Sequence, residues 1–153
     1  MARKILSIAD YLAMKGSELG VSGWIEITQD RIDKFADVTE DHQFIHVDPE
    51  RAKKTPFGST IAHGYLTLSL LAGMAGDVMP GIEGTKMGVN YGLNKVRFMA
   101  PVKSGKRVRG RFTLTDVTER SPGAFQSTVD VKVEIEGEDK PALVAEWITL
   151  AYV

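Results

Sequence analysis

The chain of 153 residues contains no cysteine. This absence excludes disulfide bonds, a thiolate nucleophile and any cysteine-ligated zinc or iron–sulfur site, and it fits a reducing compartment. We therefore expect a cytoplasmic protein.

The chain also lacks an excess of either charge, because it contains 19 Lys and Arg and 20 Asp and Glu. With a formal net charge of −1, nothing favours nucleic acid or an anionic membrane surface as a partner.

Long apolar runs are scarce as well. The uncharged run from Gly64 to Gly76 covers 13 residues and includes Thr67 and Ser69, whereas roughly 20 apolar residues are needed to span a bilayer. A buried helix is the expected structure of this run, and no membrane span is expected. The nucleotide-binding patterns G-x-G-x-x-G and G-x4-G-K-[ST] do not occur, and neither does the G-x-S-x-G elbow of hydrolases.

Helical patterns dominate the first half of the chain, and alternating strand patterns dominate the second. Capping residues and apolar spacing predict helices over 7–14, from 28 to about 38, over 48–54 and over 61–79. The segment 39–47 has no helical period and is expected to be a loop. Strands are predicted at 24–27, 87–98, 108–114, 125–135 and 143–152, with a bulge near Asn94 and Lys95 where the alternation changes phase.

This order of elements predicts an α+β protein. The helix after residue 61 is apolar on all its faces, which predicts that other structure surrounds it. We therefore expect a single domain over residues 1–153 with the hot-dog architecture, in which a long antiparallel sheet wraps around a central apolar helix. The last strand, from Leu143 to Tyr152, is apolar on both faces and is expected inside the sheet.

All three histidines lie within 22 residues, interleaved with the acidic residues Glu40, Asp41 and Asp48. Asp41 and His46 are five residues apart, so a loop between them could hold a carboxylate and an imidazole on opposite walls of one pocket. Such a pair can share a water molecule and move its proton. The alternative from spacing alone is that both side chains only cap turns.

A second candidate feature is His63-Gly64, at the start of the apolar helix. Gly64 would let a ligand approach the backbone, and free N–H groups at a helix start favour an oxyanion. The alternative is that Gly64 serves close helix–sheet packing and that His63 is a satisfied core residue.

A metal site is the weakest of the interpretations. His42, His46, Asp41 and Asp48 are ligand types for zinc, but the chain has no HExxH helix and no cysteine. We expect neither a metal nor a bound cofactor.

Arg107 alternates with two further arginines along one strand. These arginines have two interpretations: a solvated strand face or contact with the phosphates of a ligand.

Three segments in order resemble one known family. The segment from Phe35 to Pro49 resembles the hydratase 2 motif of MaoC-like (R)-specific enoyl-CoA hydratases, whose pattern is Asp-x-Asn-Pro-x-His. Ile61-Ala62-His63-Gly64 resembles the second signature of the family, and the segment 90–98 followed by Pro101-Val102 resembles a third. Together the matches cover about residues 22 to 103. Within the family, the chain is most similar to the subgroup that resembles nodulation protein N.

The resemblance implies a hot-dog fold, a homodimer with edge-to-edge sheets, and reversible syn addition of water to a trans-2-enoyl thioester in fatty acid metabolism. It implies that Asp41 and His46 are the catalytic pair and that the Gly64 N–H binds the thioester oxygen. Candidate substrate-binding residues are His63 and, from their placement along the path of the acyl chain, Phe44, Tyr65 and Leu66. The substrate would be an acyl-CoA or an acyl carrier protein thioester.

One departure from the family pattern is that Gln43-Phe44 replaces Asn-Pro. Two other functions remain open at this point. A hot-dog acyl-CoA thioesterase would hydrolyse the thioester, and a non-catalytic acyl-binding subunit of a larger dehydratase would bind it without reaction. The pairing of Asp41 and His46 with a downstream His63-Gly64 favours the hydratase.

Overall fold

The computed structural model describes residues 2–153. Its helices are α1 (Ile8–Ala13), α2 (Gln29–Thr39), α3 (Phe44–Val47), α4 (Pro49–Ala52), α5 (Gly64–Ser69) and α6 (Leu71–Val78). Its strands are β1 (Ile5–Leu6), β2 (Glu18–Val21), β3 (Ile25–Glu26), β4 (Gly81–Ile82), β5 (Met87–Phe98), β6 (Arg107–Ser121), β7 (Ala124–Ile135) and β8 (Leu143–Tyr152).

Short polar side chains start the helices as the sequence predicts. Ser7 accepts a hydrogen bond from the Asp10 N–H at the start of α1, and Thr28 accepts one from the Arg31 N–H at the start of α2. Asp48 caps α4 in the same way, with Pro49 at the first helical position. These caps fix where the helices near the candidate site begin.

The large sheet has the strand order β2-β6-β7-β8-β5, with β3 also paired to β6, and its pairs are antiparallel. The predicted bulge is confirmed, because the register of β5 against β8 shifts between Leu93 and Lys95, with a further shift between Asn90 and Gly92. Strand β8 pairs on both sides, as its two apolar faces predict. Strands β1 and β4 form a separate two-stranded parallel sheet.

Two predictions about helices were wrong. The helix predicted over 61–79 begins only at Gly64 and divides at Leu70 into α5 and α6. It is also not surrounded on all faces, since Tyr65, Ala72 and Gly76 are exposed. The segment 39–47, predicted as a loop, contains α3. Four residues are too few for a helical period to show in a sequence.

The core forms between the helices and the inner face of the sheet. Met74 of α6 is fully buried, as are Phe112 and Leu114 of β6. On the other face of β6, Arg109 and Arg111 both bind Glu134 at 2.8 Å, so these arginines lie in ion pairs on the outside of the sheet. Among residues 2–153, no helix combines the length and the apolar character that crossing a membrane requires.

The approach of α6 to the sheet predicts the effect of one substitution. A Cβ at Gly110 would lie 2.7 Å from Cε2 of Phe112 and 3.1 Å from the sulfur of Met74. Because both side chains are fully buried, Gly110→Ala should lower the free energy of unfolding by about 1–3 kcal/mol in chemical denaturation.

The matched control for this test is Gly73→Ala, inside α6. Nothing lies within 4 Å of a Cβ at Gly73, so the better helix propensity of alanine should raise stability by up to about 1 kcal/mol. A Gly110→Ala variant as stable as Gly73→Ala would contradict the close packing of α6 on β6.

Candidate active site

The turn after α2 brings Asp41 to the site. Glu40 has a left-handed backbone with φ 62°, which ends the helix and redirects the chain. Asp41 follows with an exposed side chain, and its Oδ1 accepts a hydrogen bond from the Gln43 N–H at 3.4 Å. A bond from residue i to the N–H of residue i+2 is the mark of an Asx turn. The turn therefore forms with Gln43-Phe44 in place of the family's Asn-Pro.

His46 of α3 is buried, with 7% of its surface exposed. Its Nδ1 lies 2.7 Å from the carbonyl oxygen of Ile61. Because a carbonyl oxygen can only accept, Nδ1 carries the proton, and the neutral ring has its lone pair at Nε2. Burial lowers the pKa of His46, and the neighbouring His63 adds to this, against the raising effects of the Ile61 bond and Asp41. His46 is therefore suited to accept a proton at Nε2.

Gln29, in the first turn of α2, anchors the backbone around His46. Its Nε2 donates to the carbonyl oxygen of His46 at 2.7 Å and to Oδ1 of Asp33 at 2.8 Å. Its Oε1 accepts from the Thr60 hydroxyl at 2.5 Å. One side chain thus ties α2, α3 and the segment before α5 together. The sequence gives no signal for this role, because Gln29 has the appearance of an ordinary first-turn residue.

His63 and Gly64 lie directly beside His46. The rings of His46 and His63 stack with centroids 3.9 Å apart and planes inclined by 23°. Gly64 begins α5, where a helix has no internal acceptor for the first N–H groups. A Cβ at Gly64 would lie 2.8 Å from Cδ1 of Phe98. The close approach of Phe98 therefore gives Gly64 a packing role, alongside any role of its N–H.

A cavity of about 210 Å³ brings His46 and Gly64 together. Its other lining residues come from the segment before and within α5, from the end of β5 and the loop after it, and from just before β8: Ile61, Ala62, Thr67, Phe98, Met99, Ala100, Pro101, Val102 and Ala142. Asp41 is not among the lining residues, but one of its carboxylate oxygens lies within 4.8 Å of a nitrogen of His46 and of a nitrogen of His63.

The predicted acyl-contact residues lie in different places. Phe44 is half-buried, with the Arg51 guanidinium 4.2 Å from its ring centre. Tyr65 is 68% exposed and packs edge-on against Phe98, whereas Leu66 lies in the core with 5% exposed. None of the four predicted substrate-binding residues, including the buried His63, is among the residues that line the 210 Å³ cavity, and their contact with substrate stays a prediction.

The segment 98–102 contributes five lining residues that the sequence did not single out as pocket residues. A signal for them was present in the sequence, because this segment overlaps the third match to the family.

A second cavity, of about 220 Å³, lies between the helices and the sheet. It is lined by Leu68, Ser69, Leu71, Ala72, Asn90, Tyr91, Gly92, Leu93 and Trp147.

The residues considered as metal ligands divide into two groups. His42 pairs with Asp37 at 2.9 Å, and Asp48 caps α4. Asp41, His46 and His63 do lie close together. The lone pairs of an imidazole lie in its ring plane, however, so two stacked rings keep their lone pairs in separate, nearly parallel planes, which is unfavourable for binding one ion.

Comparison with known proteins identifies the family. Residues 12–137 match the family described as "MaoC like domain". The chain belongs to the MaoC-like domain family. The match confirms the resemblance seen in the three sequence segments.

Two curated relatives cover nearly the whole chain. It is 57% identical over 146 residues to nodulation protein N of Rhizobium leguminosarum bv. viciae, covering 95% of this chain and 91% of that one. It is 51% identical over 146 residues to 3-hydroxyacyl-thioester dehydratase Z of Mycobacterium tuberculosis, covering 95% of this chain and 96% of the relative.

Solved structures confirm the hot-dog fold. The monoamine oxidase regulatory protein of Archaeoglobus fulgidus superposes with a TM-score of 0.82 at 25% identity, covering 99% of this chain and 97% of that one. The (R)-hydratase of A. caviae involved in PHA biosynthesis superposes with a TM-score of 0.69 at 27% identity, covering 86% and 96%.

Proposed function

We propose that this protein is an (R)-specific hydro-lyase that interconverts trans-2-enoyl and 3-hydroxyacyl thioesters. The observation that carries the proposal is that His46 and Gly64 line one cavity, with the Asp41 carboxylate beside it. This arrangement supports the proposal, because a molecule in the cavity could meet both a proton acceptor and a main-chain donor. The names of a 51% identical dehydratase and of an (R)-hydratase with the same fold support the reaction class and its stereochemistry.

In the proposed reaction, Asp41 and His46 hold one water molecule. His46 accepts a proton at Nε2 as the water oxygen bonds to C3 of the enoyl thioester, and negative charge develops on the thioester oxygen. A proton then returns to C2 from the same site, so that H and OH add to one face. The Gly64 N–H stabilises the enolate oxygen, and one such donor contributes about 3 kcal/mol. No metal or cofactor takes part.

The acyl chain is proposed to run from the 210 Å³ cavity toward the 220 Å³ cavity. Both cavities are lined by residues of α5 and β5: Thr67 and Phe98 in the first, and Leu68 and Leu93 in the second. Apolar side chains predominate in both linings, which suits an acyl chain. The carrier, CoA or acyl carrier protein, and a cytoplasmic place in fatty acid metabolism stay predictions from the sequence.

The two rival functions differ from this one in a measurable product. A thioesterase releases a free thiol, and a binding subunit leaves the substrate unchanged. With crotonyl-CoA and longer enoyl-CoAs, we expect the enoyl absorbance to fall while free thiol stays at its background level. Thiol release at the same rate as the loss of absorbance would establish the thioesterase, and no change in either signal would favour the binding subunit.

A second test separates the proposed oxyanion binding by the Gly64 N–H from the packing of Gly64 against Phe98. In Gly64→Ala, the added methyl group intrudes where the thioester oxygen must approach the N–H, so kcat should fall about 10²–10³-fold. The same methyl group also meets the Phe98 ring at 2.8 Å. The double variant Gly64→Ala with Phe98→Ala removes that clash, and it is compared with Phe98→Ala alone for both turnover and melting temperature.

If the N–H binds the oxyanion, kcat stays low in the double variant although its melting temperature recovers. Recovery of kcat together with stability would show that Gly64 serves only the contact with Phe98.

A homodimer is proposed because strand β5 has, within residues 2–153, an unpaired edge and exposed apolar side chains. Strand β5 lies at the end of the sheet order and pairs with β8 on one side only among the described residues. It is exposed along nearly all of its 12 residues. Large apolar side chains in and just after it are 41–54% exposed: Met87, Val89, Tyr91, Leu93, Phe98 and Met99. A long, apolar strand edge of this kind calls for a partner strand, and a second copy of β5 supplies one.

The mass in solution tests the dimer. We expect light scattering to give about twice the 16.8 kDa of one chain. Val89→Lys, which places a charge on the apolar edge of β5, should shift the mass toward one chain. The matched control Val38→Lys changes a side chain that is 79% exposed on α2 and should leave the mass unchanged. A concentration-independent mass of one chain for the unmodified protein would contradict the dimer.

A further inference from the structure

His63 contacts each member of the proposed catalytic pair. Its ring stacks on the ring of His46. Phe35 of α2 also packs against the His63 ring, with ring centres 5.0 Å apart. Its Nε2 lies 2.9 Å from the main-chain carbonyl oxygen of Asp41. Only 2% of the surface of His63 is exposed.

The two ring nitrogens of His63 have different surroundings. The Asp41 carbonyl oxygen can only accept, so Nε2 of His63 donates this hydrogen bond. Nδ1 is buried and has no hydrogen-bond partner among residues 2–153. The one side-chain hydrogen bond that His63 makes among these residues is therefore to the main chain of Asp41.

We propose that His63 is a positioning residue that fixes the ring plane of His46 and the main chain of Asp41 at the same time. The proposal rests on the proposed function, since it assigns His63 to that reaction. It explains why a polar ring is buried here, because an apolar side chain could stack on His46 but could not hold the Asp41 carbonyl.

The Asp41 turn needs such a restraint. The residue before it, Glu40, is left-handed, and the Asp41 side chain is exposed. The other hydrogen bond of Asp41 is the long one from the Gln43 N–H, at 3.4 Å. The bond from His63 is shorter and comes from a rigid, buried ring, so it is the main restraint on where the carboxylate stands relative to His46.

The titratable groups that the described contacts bring to His63 are His46 of α3 and the Asp41 carboxylate, while α2 contributes the uncharged Phe35. Because the His63 ring covers one face of His46, its removal would admit water to that face. Burial is the main cause that lowers the pKa of His46. That pKa should therefore rise toward its ordinary value of 6.5 when the ring is lost.

Two variants separate the two contacts. His63→Gln keeps an N–H donor at similar reach and loses the ring, whereas His63→Phe keeps the ring and loses the donor. In each, we expect kcat for enoyl-CoA hydration to fall about 10- to 100-fold with little change in KM, since displacement of a catalytic group by about 1 Å has an effect of this size. The matched control His42→Gln changes the exposed histidine that pairs with Asp37 and should keep full kcat.

NMR titration of His46 separates loss of the covering ring from general damage to the fold, because general damage would raise the His46 pKa in both variants. The pKa of His46 should rise in His63→Gln and stay low in His63→Phe, because only the second variant keeps the covering ring. This measurement needs no substrate, so it decides on positioning even if the protein turns over no enoyl thioester and the proposed function fails.

Full kcat in either variant would overturn the proposal, and so would an unchanged His46 pKa in His63→Gln. Circular dichroism and melting temperatures establish that the variants are folded. If His63→Gln melts below the assay temperature, His63→Phe still decides on the bond to Asp41, because it preserves the buried ring.

Discussion

The candidate site depends on the main chain of Ile61. Its carbonyl oxygen accepts from Nδ1 of His46 at 2.7 Å, and its N–H donates to the carbonyl oxygen of Ile45 at 3.0 Å. The next residue, Ala62, donates to Val102 at 2.7 Å. These bonds join α3, the start of α5 and the loop after β5. Asp41 and His46 on one side and Gly64 on the other therefore meet because one extended segment lies between them.

The same segment explains the chemistry that the site can perform. A buried imidazole with its Nδ1 proton bound to a carbonyl has a defined tautomer, and burial keeps its pKa low. The Asp41 carboxylate, in contrast, is exposed to solvent. A buried base and an exposed carboxylate within 4.8 Å can hold one water molecule between them. Neither group alone would both orient the water and take its proton.

Much of the fold follows from patterns that are long enough to read. The alternation over 87–98, including its change of phase, predicts a bulged strand because side-chain direction in a strand repeats every two residues. The helix α3 has four residues, so its period could not be seen. The division of the apolar helix at Leu70 was not visible either, because apolar residues on both sides of it continue the same pattern.

The candidate site was predictable to a different degree. Spacing alone left Asp41 and His46 open between catalysis and capping, and the family resemblance supplied their proposed roles. The structure adds partners that no spacing indicates, because they come from distant parts of the chain. Gln29 reaches the His46 carbonyl across 17 positions, and Phe98 covers Gly64 across the site. Such contacts follow from the packing of elements and not from local sequence.

The central claim is that Asp41 and His46 act on one water molecule, and a double-mutant cycle of kcat tests it most directly. Asp41→Asn and His46→Gln should each lower kcat by about 10²–10⁴-fold in folded protein. The double variant should have a kcat little lower than that of the less active single variant, because the effects of groups that act as a unit are not additive. Losses that multiply in the double variant, or single variants that keep more than about a tenth of the activity, would contradict the shared water.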